Sequence, residues 1–185
     1  MSFKNTELYG GAITVDLPTA FGDVSQIRQV ADHQEVYLDS NGYSSVVFDI
    51  LERVEKGSDE EALQYHFQDL IEGTDDSTNV LEQGGARMAK IPNAPVYVLT
   101  YIQTPPPTTE APKRPTPDFT SIHLLLLRLK EQSTDIVITV NVPHYAGQYV
   151  KSAEGEKTQM MKDGEAVKEK ILETFEIKDW GLFEG

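Results

Sequence analysis

The sequence predicts a single α+β domain spanning residues 1–185, in which an antiparallel β-sheet is sandwiched between helices. A length of 185 residues is typical of one domain. Strand-like and helix-like segments follow one another without the regular alternation of βαβ units, which argues against a parallel sheet. Two apolar strands are joined by the short segment 132–135, which is compatible with an antiparallel hairpin.

The strands are indicated by alternating or continuous apolar residues. Residues 13–17 alternate apolar and polar side chains, the period of a half-buried strand. Residues 35–38 repeat this alternation, with Val36 and Leu38 on the same face and Val36 expected to face the core. Residues 96–102 are apolar on both faces, which predicts a central strand covered on each side. Two further strands are predicted at 122–129 and 136–142.

Helical periodicity is found in three segments. Between Ser44 and Glu55, apolar residues recur at spacings of three and four, with charged residues facing away. A second helix is predicted to begin at Ser58, which forms a capping-box pattern with Glu61. The last helix is predicted at residues 163–175, and Asp23 is expected to cap a single helical turn.

The remaining segments are predicted to be irregular. Residues 73–85 contain no clear periodicity, and residues 145–162 are rich in Gly, Ser, Lys and Glu. A flexible proline-rich loop is predicted at residues 104–118, where six prolines prevent pairing in a sheet. Trp180 and Phe183 are expected to hold the C-terminal segment against the body of the domain.

Composition limits the classes of partner. The formal net charge is −14, a field that repels nucleic acid and anionic lipid and attracts a basic partner. The chain has no cysteine, which excludes disulfides, zinc–thiolate sites and a thiol nucleophile. No apolar run has the length of a signal peptide or a membrane span. We therefore expect a soluble protein of the cytosol or nucleus, with no nucleic-acid or membrane partner. We also expect a monomer.

The sequence motifs of common enzymes are missing. No dinucleotide fingerprint, P-loop, zinc-protease or serine-hydrolase motif occurs, and the four histidines lack metal-ligand spacing. His66 and Asp69 stand three residues apart on a predicted helix and could form an acid–base pair, although such pairs are more often surface contacts. Gly10 and Gly11 suggest a tight turn rather than a phosphate site. We expect no catalysis, no cofactor and no metal.

The segment 31–36 holds the most informative polar residues. Asp32 and Glu35 are three residues apart just before a strand, so a tight turn or a helical turn would direct both carboxylates to one side. Such a pair is suited to bind lysine or arginine. The alternative is two solvated surface acids with no specific role.

The same region resembles the Ran guanine nucleotide release factor family, the Mog proteins. The resemblance rests on Leu8-Tyr9-Gly10-Gly11-Ala12, on Asp23-Val24-Ser25, and on Val30-Ala31-Asp32-His33-Gln34-Glu35-Val36. Later blocks agree with it, including Phe48-Asp49-Ile50-Leu51-Glu52 and Tyr65-His66-Phe67-Gln68-Asp69. The family usually has proline where this chain has Ala31, which implies a less rigid turn here.

The resemblance implies an α/β/α sandwich related to the PsbP proteins. It also implies that the chain binds the GTPase Ran, promotes release of its guanine nucleotide and regulates nuclear transport. The residues implied in Ran binding are Asp32, Glu35 and the intervening Gln34, with Asp23 and Arg28 as neighbours on the preceding turn. The alternatives are an acidic scaffold for another basic partner, or a small-ligand carrier or enzyme that uses His66 and Asp69.

Overall fold

The computed structural model describes residues 1–184. The strands are β1 (Phe3–Leu8), β2 (Ile13–Pro18), β3 (Phe21–Asp23), β4 (Gln34–Asp39), β5 (Ser45–Glu52), β6 (Ser77–Ala86), β7 (Val96–Thr104), β8 (Phe119–Leu129), β9 (Thr134–His144) and β10 (Glu176–Ile177). The helices are α1 (Asp59–Ile71) and α2 (Gln159–Thr174). Short 3₁₀ turns occupy Tyr9–Gly11, Val24–Gln26 and Trp180–Phe183.

The strands form two antiparallel sheets. The main sheet has seven strands in the order β3-β4-β5-β9-β8-β7-β6, and the smaller sheet has the order β1-β2-β10. Every neighbouring pair is antiparallel. Within residues 1–184, no helix combines the length and apolarity that a membrane span requires.

The two helices cover opposite faces of the main sheet. Leu124 and Leu126 of β8 belong to the apolar cluster that includes Leu63 of α1. Leu125 belongs to the other cluster, with Val167 of α2 and the inner residues of the small sheet. Because successive strand residues point to opposite faces, α1 lies on one side and α2 with the small sheet on the other. The predicted antiparallel sheet between helices is confirmed.

Several predicted elements are confirmed with shifted bounds. The Ser58 hydroxyl accepts the Glu61 N–H at 3.2 Å, so α1 is capped as its sequence indicates. The Glu61 carboxylate accepts the N–H of Gly57 and not that of Ser58, the partner that a capping box predicts. β8 and β9 form the predicted hairpin. Residues 96–102 are covered on both faces, although β7 is next to the edge of the sheet rather than at its centre.

The predicted helix between Ser44 and Glu55 is wrong, because this segment is strand β5. Val46 and Phe48 are fully buried, which is the period of a strand, and β5 pairs on both sides with β4 and β9. A run that is apolar at most positions satisfies the helical and the strand period together, so periodicity alone does not decide between them. Pairing with β4 and β9 makes this segment a strand.

Three other expectations need correction. The segment 73–85, predicted to be irregular, contains most of β6. The irregular connection at 145–162 ends at Thr158, whose hydroxyl caps α2 by accepting the Met161 N–H at 3.0 Å. Leu38 is 38% exposed while Val36 is buried, so the expected shared burial of these two residues fails at the end of β4.

The C-terminal segment packs as expected in part. Phe183 is half-buried against the large apolar cluster, while Trp180 is 43% exposed and lies beside Phe183. The proline-rich loop connects β7 to β8 and contains no helix or strand between residues 105 and 118.

Candidate functional site

The predicted acidic turn lies near one edge of the main sheet, where the chain enters β4. The Gln34 N–H donates to the Ala31 carbonyl oxygen at 2.9 Å, so residues 31–34 form a tight turn. Asp32 occupies the middle of this turn and is exposed. The preceding turn is capped by Asp23, whose carboxylate accepts the Ser25 N–H at 2.8 Å.

Glu35 is held by hydrogen bonds within the domain. Its Oε1 accepts the Tyr9 N–H at 2.6 Å, and its Oε2 accepts the Tyr37 hydroxyl at 3.2 Å. Burial raises the pKa of Glu35, the charge of Asp23 raises it further, and the two hydrogen bonds act in the opposite direction. The alternative of two solvated surface acids therefore does not hold for Glu35, whose carboxylate is bonded within the domain.

Tyr9 joins the small sheet to the acidic turn. Its backbone has φ of 52°, a left-handed conformation that is uncommon for a non-glycine residue. Its hydroxyl lies 3.0 Å from the carbonyl oxygens of both His33 and Phe48, and donates to them. Burial raises the pKa of the Tyr9 phenol, and the nearby Glu35 carboxylate adds to this effect. These contacts hold the strained turn after β1 against the entry to β4.

Sequence reasoning did not single out Tyr9 as a supporting residue. The available signal was its place in the motif Leu8–Ala12, where Gly10 and Gly11 have φ of 68° and 92°. The tight turn expected at these glycines is confirmed, because both occupy backbone conformations that favour glycine.

Gln34 connects the turn to the neighbouring strand. Its side-chain amide donates to Asp49 Oδ1 of β5 at 3.0 Å, and His33 Nε2 lies 3.8 Å from the same oxygen. Burial raises the pKa of Asp49, the Gln34 and His33 side chains lower it, and the charge of Asp69 on α1 raises it. Asp49 was not singled out because its segment was predicted to be a helix; the available signal was its place in the block Phe48-Asp49-Ile50-Leu51-Glu52.

Five acids are grouped at this side of the main sheet, which we call the acidic edge. Its carboxylates are Asp23, Asp32, Glu35, Asp49 and Asp69. Glu35 and Asp49 lie on opposite faces of the sheet, because Tyr37 and Phe48 both belong to the cluster under α2. Asp23 and Asp69 raise the pKa of Glu35 and Asp49 respectively, in each case as a smaller effect than burial, so the acids repel one another. A lysine or arginine brought to this surface would relieve that repulsion. Arg28 is exposed in the preceding segment and has no ion pair among residues 1–184.

His66 does not pair with Asp69, either as the acid–base pair considered as an alternative or as a surface contact. His66 is 4% exposed, and its Nε2 lies 2.8 Å from Oδ2 of the buried Asp135 on β9. Arg128 Nε donates to the other oxygen of Asp135 at 3.0 Å. His66 therefore faces the sheet in a buried network that ties α1 to the β8–β9 hairpin, and Asp69 faces the acidic edge.

No metal site is formed in the part of the chain that the structure describes. Among residues 1–184, no three or more His, Asp or Glu side chains come together in a group that could hold a metal ion. The chemistry available at the acidic edge is hydrogen bonding and charge attraction.

Comparison with known proteins gives a consistent family. A family model described as "Ran-interacting Mog1 protein" matches residues 6–143. The chain is 35% identical to the nuclear import protein MOG1 of Saccharomyces cerevisiae over 159 residues, covering 77% of this chain and 67% of the relative. It is 29% identical to the "Probable ran guanine nucleotide release factor" of Dictyostelium discoideum, covering 98% of this chain and 97% of the relative.

The fold agrees with a solved structure. The Saccharomyces cerevisiae Ran-binding protein Mog1p superposes with a TM-score of 0.77 at 28% sequence identity, covering 99% of both chains. The similarity therefore extends over the whole α+β architecture, including the parts outside the acidic edge.

Proposed function

Because this chain belongs to the Ran-interacting Mog1 family, we propose that it binds the GTPase Ran and promotes release of its guanine nucleotide in nuclear transport. The observation that carries the proposal is the family match over residues 6–143, which include every carboxylate of the acidic edge. The names of the relatives, release factors and nuclear import proteins, support the same function.

The mechanism follows from thermodynamic linkage. If the chain and the nucleotide bind Ran antagonistically, each weakens the binding of the other by the same factor. The chain has no nucleotide-binding motif, so its part is to stabilise a Ran conformation that holds nucleotide weakly. No covalent chemistry is needed, and the relatives are named as release and import factors rather than as catalysts.

Within the acidic edge we assign different roles to the two acids of the turn. Asp32 is exposed at the tip and contacts a basic side chain of Ran directly. Glu35 acts mainly as a positioning residue, because its carboxylate already accepts hydrogen bonds from Tyr9 and Tyr37. Gln34 holds Asp49 beside the turn, and Asp23 and Arg28 border the contact from the preceding turn.

The chain then works as a monomer that meets Ran in both nucleus and cytoplasm. Its net charge of −14 speeds encounter with a basic surface, while contacts of the acidic edge set the lifetime of the complex.

The test is release of fluorescently labelled GTP or GDP from Ran. Saturating amounts of the chain are expected to accelerate release, and excess nucleotide is expected to displace the chain from Ran. If the chain binds Ran but nucleotide release is unchanged, it is a Ran-binding protein without release activity. If it does not bind Ran, an acidic scaffold for another basic partner is favoured.

A further inference from the structure

The edge of the main sheet farthest from the acidic edge is open. β6 is the last strand of the sheet, so its outer backbone groups have no strand partner among residues 1–184. Nine of its ten residues are exposed, including Val80 at 44% and Leu81 at 50%. Unpaired edge strands can bind another extended chain unless charges, prolines or bulges prevent it. β6 has a bulge at Leu81, but beyond it the strand continues to Ala86 with no proline and one charged residue, Glu82.

A groove runs between this strand and helix α2. Its volume is about 500 Å³, and it is lined by residues 82–87 on one side and by Lys168, Glu169, Leu172 and Glu173 of α2 on the other. A second depression of about 450 Å³ continues past Leu81 and is lined by Ile102, Phe119 and Met161. A strand edge beside a helix is a surface on which peptides bind in extended form, with alternate side chains inserted between strand and helix.

Gly84 keeps this groove open. Its φ is not in the left-handed region, and a Cβ built on it would meet no atom within 4 Å. Neither backbone conformation nor packing therefore requires glycine, although glycine in a strand is less stabilising than alanine. Gly84 pairs with Val98, whose side chain belongs to the cluster under α2, so a side chain at Gly84 would point into the groove. Such a glycine is typical of a place where another backbone approaches closely.

The accessible charge of the groove is mostly negative. The carboxylates of Glu82, Glu169 and Glu173 are 63%, 67% and 65% exposed. Lys168, which is 8% exposed, lies 3.3 Å from Glu169 and 3.9 Å from Glu82, and Lys170, which is 30% exposed, lies 3.2 Å from Glu173. Each carboxylate is therefore more exposed than the lysine beside it. Arg87 at one end is the exposed cation in the lining. A peptide with basic side chains next to an apolar one matches both the carboxylates and the apolar depression.

We propose that the groove between β6 and α2 binds an extended, basic segment of a partner protein, which adds as a strand to the free edge of β6. This site is separate from the acidic edge. Adjacent strands are about 4.8 Å apart, and five spacings separate β4 from β6, so the two surfaces are roughly 24 Å apart across the sheet. The chain therefore has room to hold a second partner while the acidic edge is occupied.

The experiment uses two variants that make the same change on opposite faces of β6. Gly84→Leu fills the groove, whereas Gly85→Leu points to the α1 face, because Gly85 pairs with Tyr97, which packs in the α1 cluster. A Cβ at either position meets no atom within 4 Å, so both variants are expected to fold, which thermal unfolding checks. Random peptides about as long as β6 are displayed on phage, selected on the full chain, synthesised and titrated against both variants.

We expect the selected peptides to contain lysine or arginine beside an apolar residue and to protect the β6 amides from hydrogen exchange. Their binding should be at least about tenfold weaker to Gly84→Leu and within about twofold of the parent for Gly85→Leu. The proposal is overturned if no sequence is enriched, if the enriched peptides bind Gly84→Leu as tightly as the parent, or if protection lies outside β6. Binding that is lost in Asp32→Lys but kept in Gly84→Leu would assign the basic peptides to the acidic edge and also overturn it.

Discussion

The Glu35 carboxylate accepts the backbone N–H of Tyr9 at 2.6 Å and thereby fastens the small sheet to the strand that carries the acidic turn. The same carboxylate accepts the Tyr37 hydroxyl at 3.2 Å. Asp32, three residues before Glu35, is exposed. Glu35, which the family resemblance implies in Ran binding, is thus also part of the framework that holds the acidic turn.

Glu35→Lys is expected to destabilise the fold, because lysine cannot accept the Tyr9 N–H and places a cation where a carboxylate was bound. The loss of unfolding free energy should be about 1–3 kcal/mol. Asp32→Lys makes the same change three residues away at an exposed position and should alter stability by no more than about 0.5 kcal/mol. Urea unfolding of both variants checks this, and equal stabilities would show that the Glu35 contacts contribute little.

Asp32→Lys is expected to weaken Ran binding at least about tenfold, because it replaces attraction by repulsion at the tip of the acidic turn. Glu169→Lys, a change at an exposed acid on α2 beside the far edge of the sheet, makes the same charge change away from the acidic edge and serves as the control. Titration calorimetry at two salt concentrations separates the effects, since a loss of long-range attraction shrinks at high salt while a lost direct contact persists. If both variants bind Ran equally, Asp32 is not a contact residue.

His123 is expected to make stability fall with decreasing pH. Its Nδ1 lies 2.8 Å from the Thr100 hydroxyl, while its Nε2 is buried without a partner in the part of the chain that the structure describes. Burial lowers the pKa of His123 to about 4, with a further decrease from Lys168 and Lys157 and an opposing effect of Glu165. The unfolded chain takes up this proton near pH 6.5 and the folded chain near pH 4, so stability is lost as pH falls through that window.

The loss attributable to His123 should approach roughly 3 kcal/mol at the acid end of the window. His123→Val removes the titrating group and is expected to flatten the pH dependence of unfolding free energy between pH 6.5 and 4. Urea unfolding of parent and variant in the same buffers measures the difference. Parallel pH profiles would mean that the buried histidine titrates as it does in the unfolded chain.

The buried network around Asp135 is expected to be essential for stability. Asp135 accepts hydrogen bonds from His66 and Arg128, which outweigh burial and lower the pKa of Asp135. Asp135→Asn removes one of the two carboxylates that pair with Arg128, the other being Asp59 at 3.0 Å, and should cost about 1–3 kcal/mol. Asp69→Asn, an exposed change one turn from His66, should cost no more than about 0.5 kcal/mol. Equal, small losses in thermal or urea unfolding would contradict the assignment of His66 to this network.

Replacement of residues 105–117 by a short Gly/Ser linker is expected to preserve both fold and Ran binding. The loop pairs with no strand, and the entropic cost of closing a loop grows only logarithmically with its length. Melting temperature and Ran affinity should remain close to those of the parent. A fall of several degrees together with lost binding would show that the loop packs on the domain or contacts Ran.

Much of the architecture followed from local pattern. The Ser58 cap, the hairpin of β8 and β9 and the turn at Gly10 are short-range features, in which the hydrogen-bonding groups lie within a few residues of one another. The same approach failed for the segment of β5, because its apolar residues satisfy both the helical and the strand period. Only pairing with the neighbouring strands β4 and β9 makes it a strand.

For the site, the sequence by itself determined which residues stand in the acidic turn and that Asp32 is exposed, since a tight turn of polar residues belongs on the surface. Tertiary structure decided what the other groups do. Glu35 meets Tyr9 from 26 residues away, and His66 meets Asp135 from 69 residues away. These contacts form only when separate strands and helices pack together. Their strength depends on how deeply the groups are buried, and the spacing of residues along the chain does not show that.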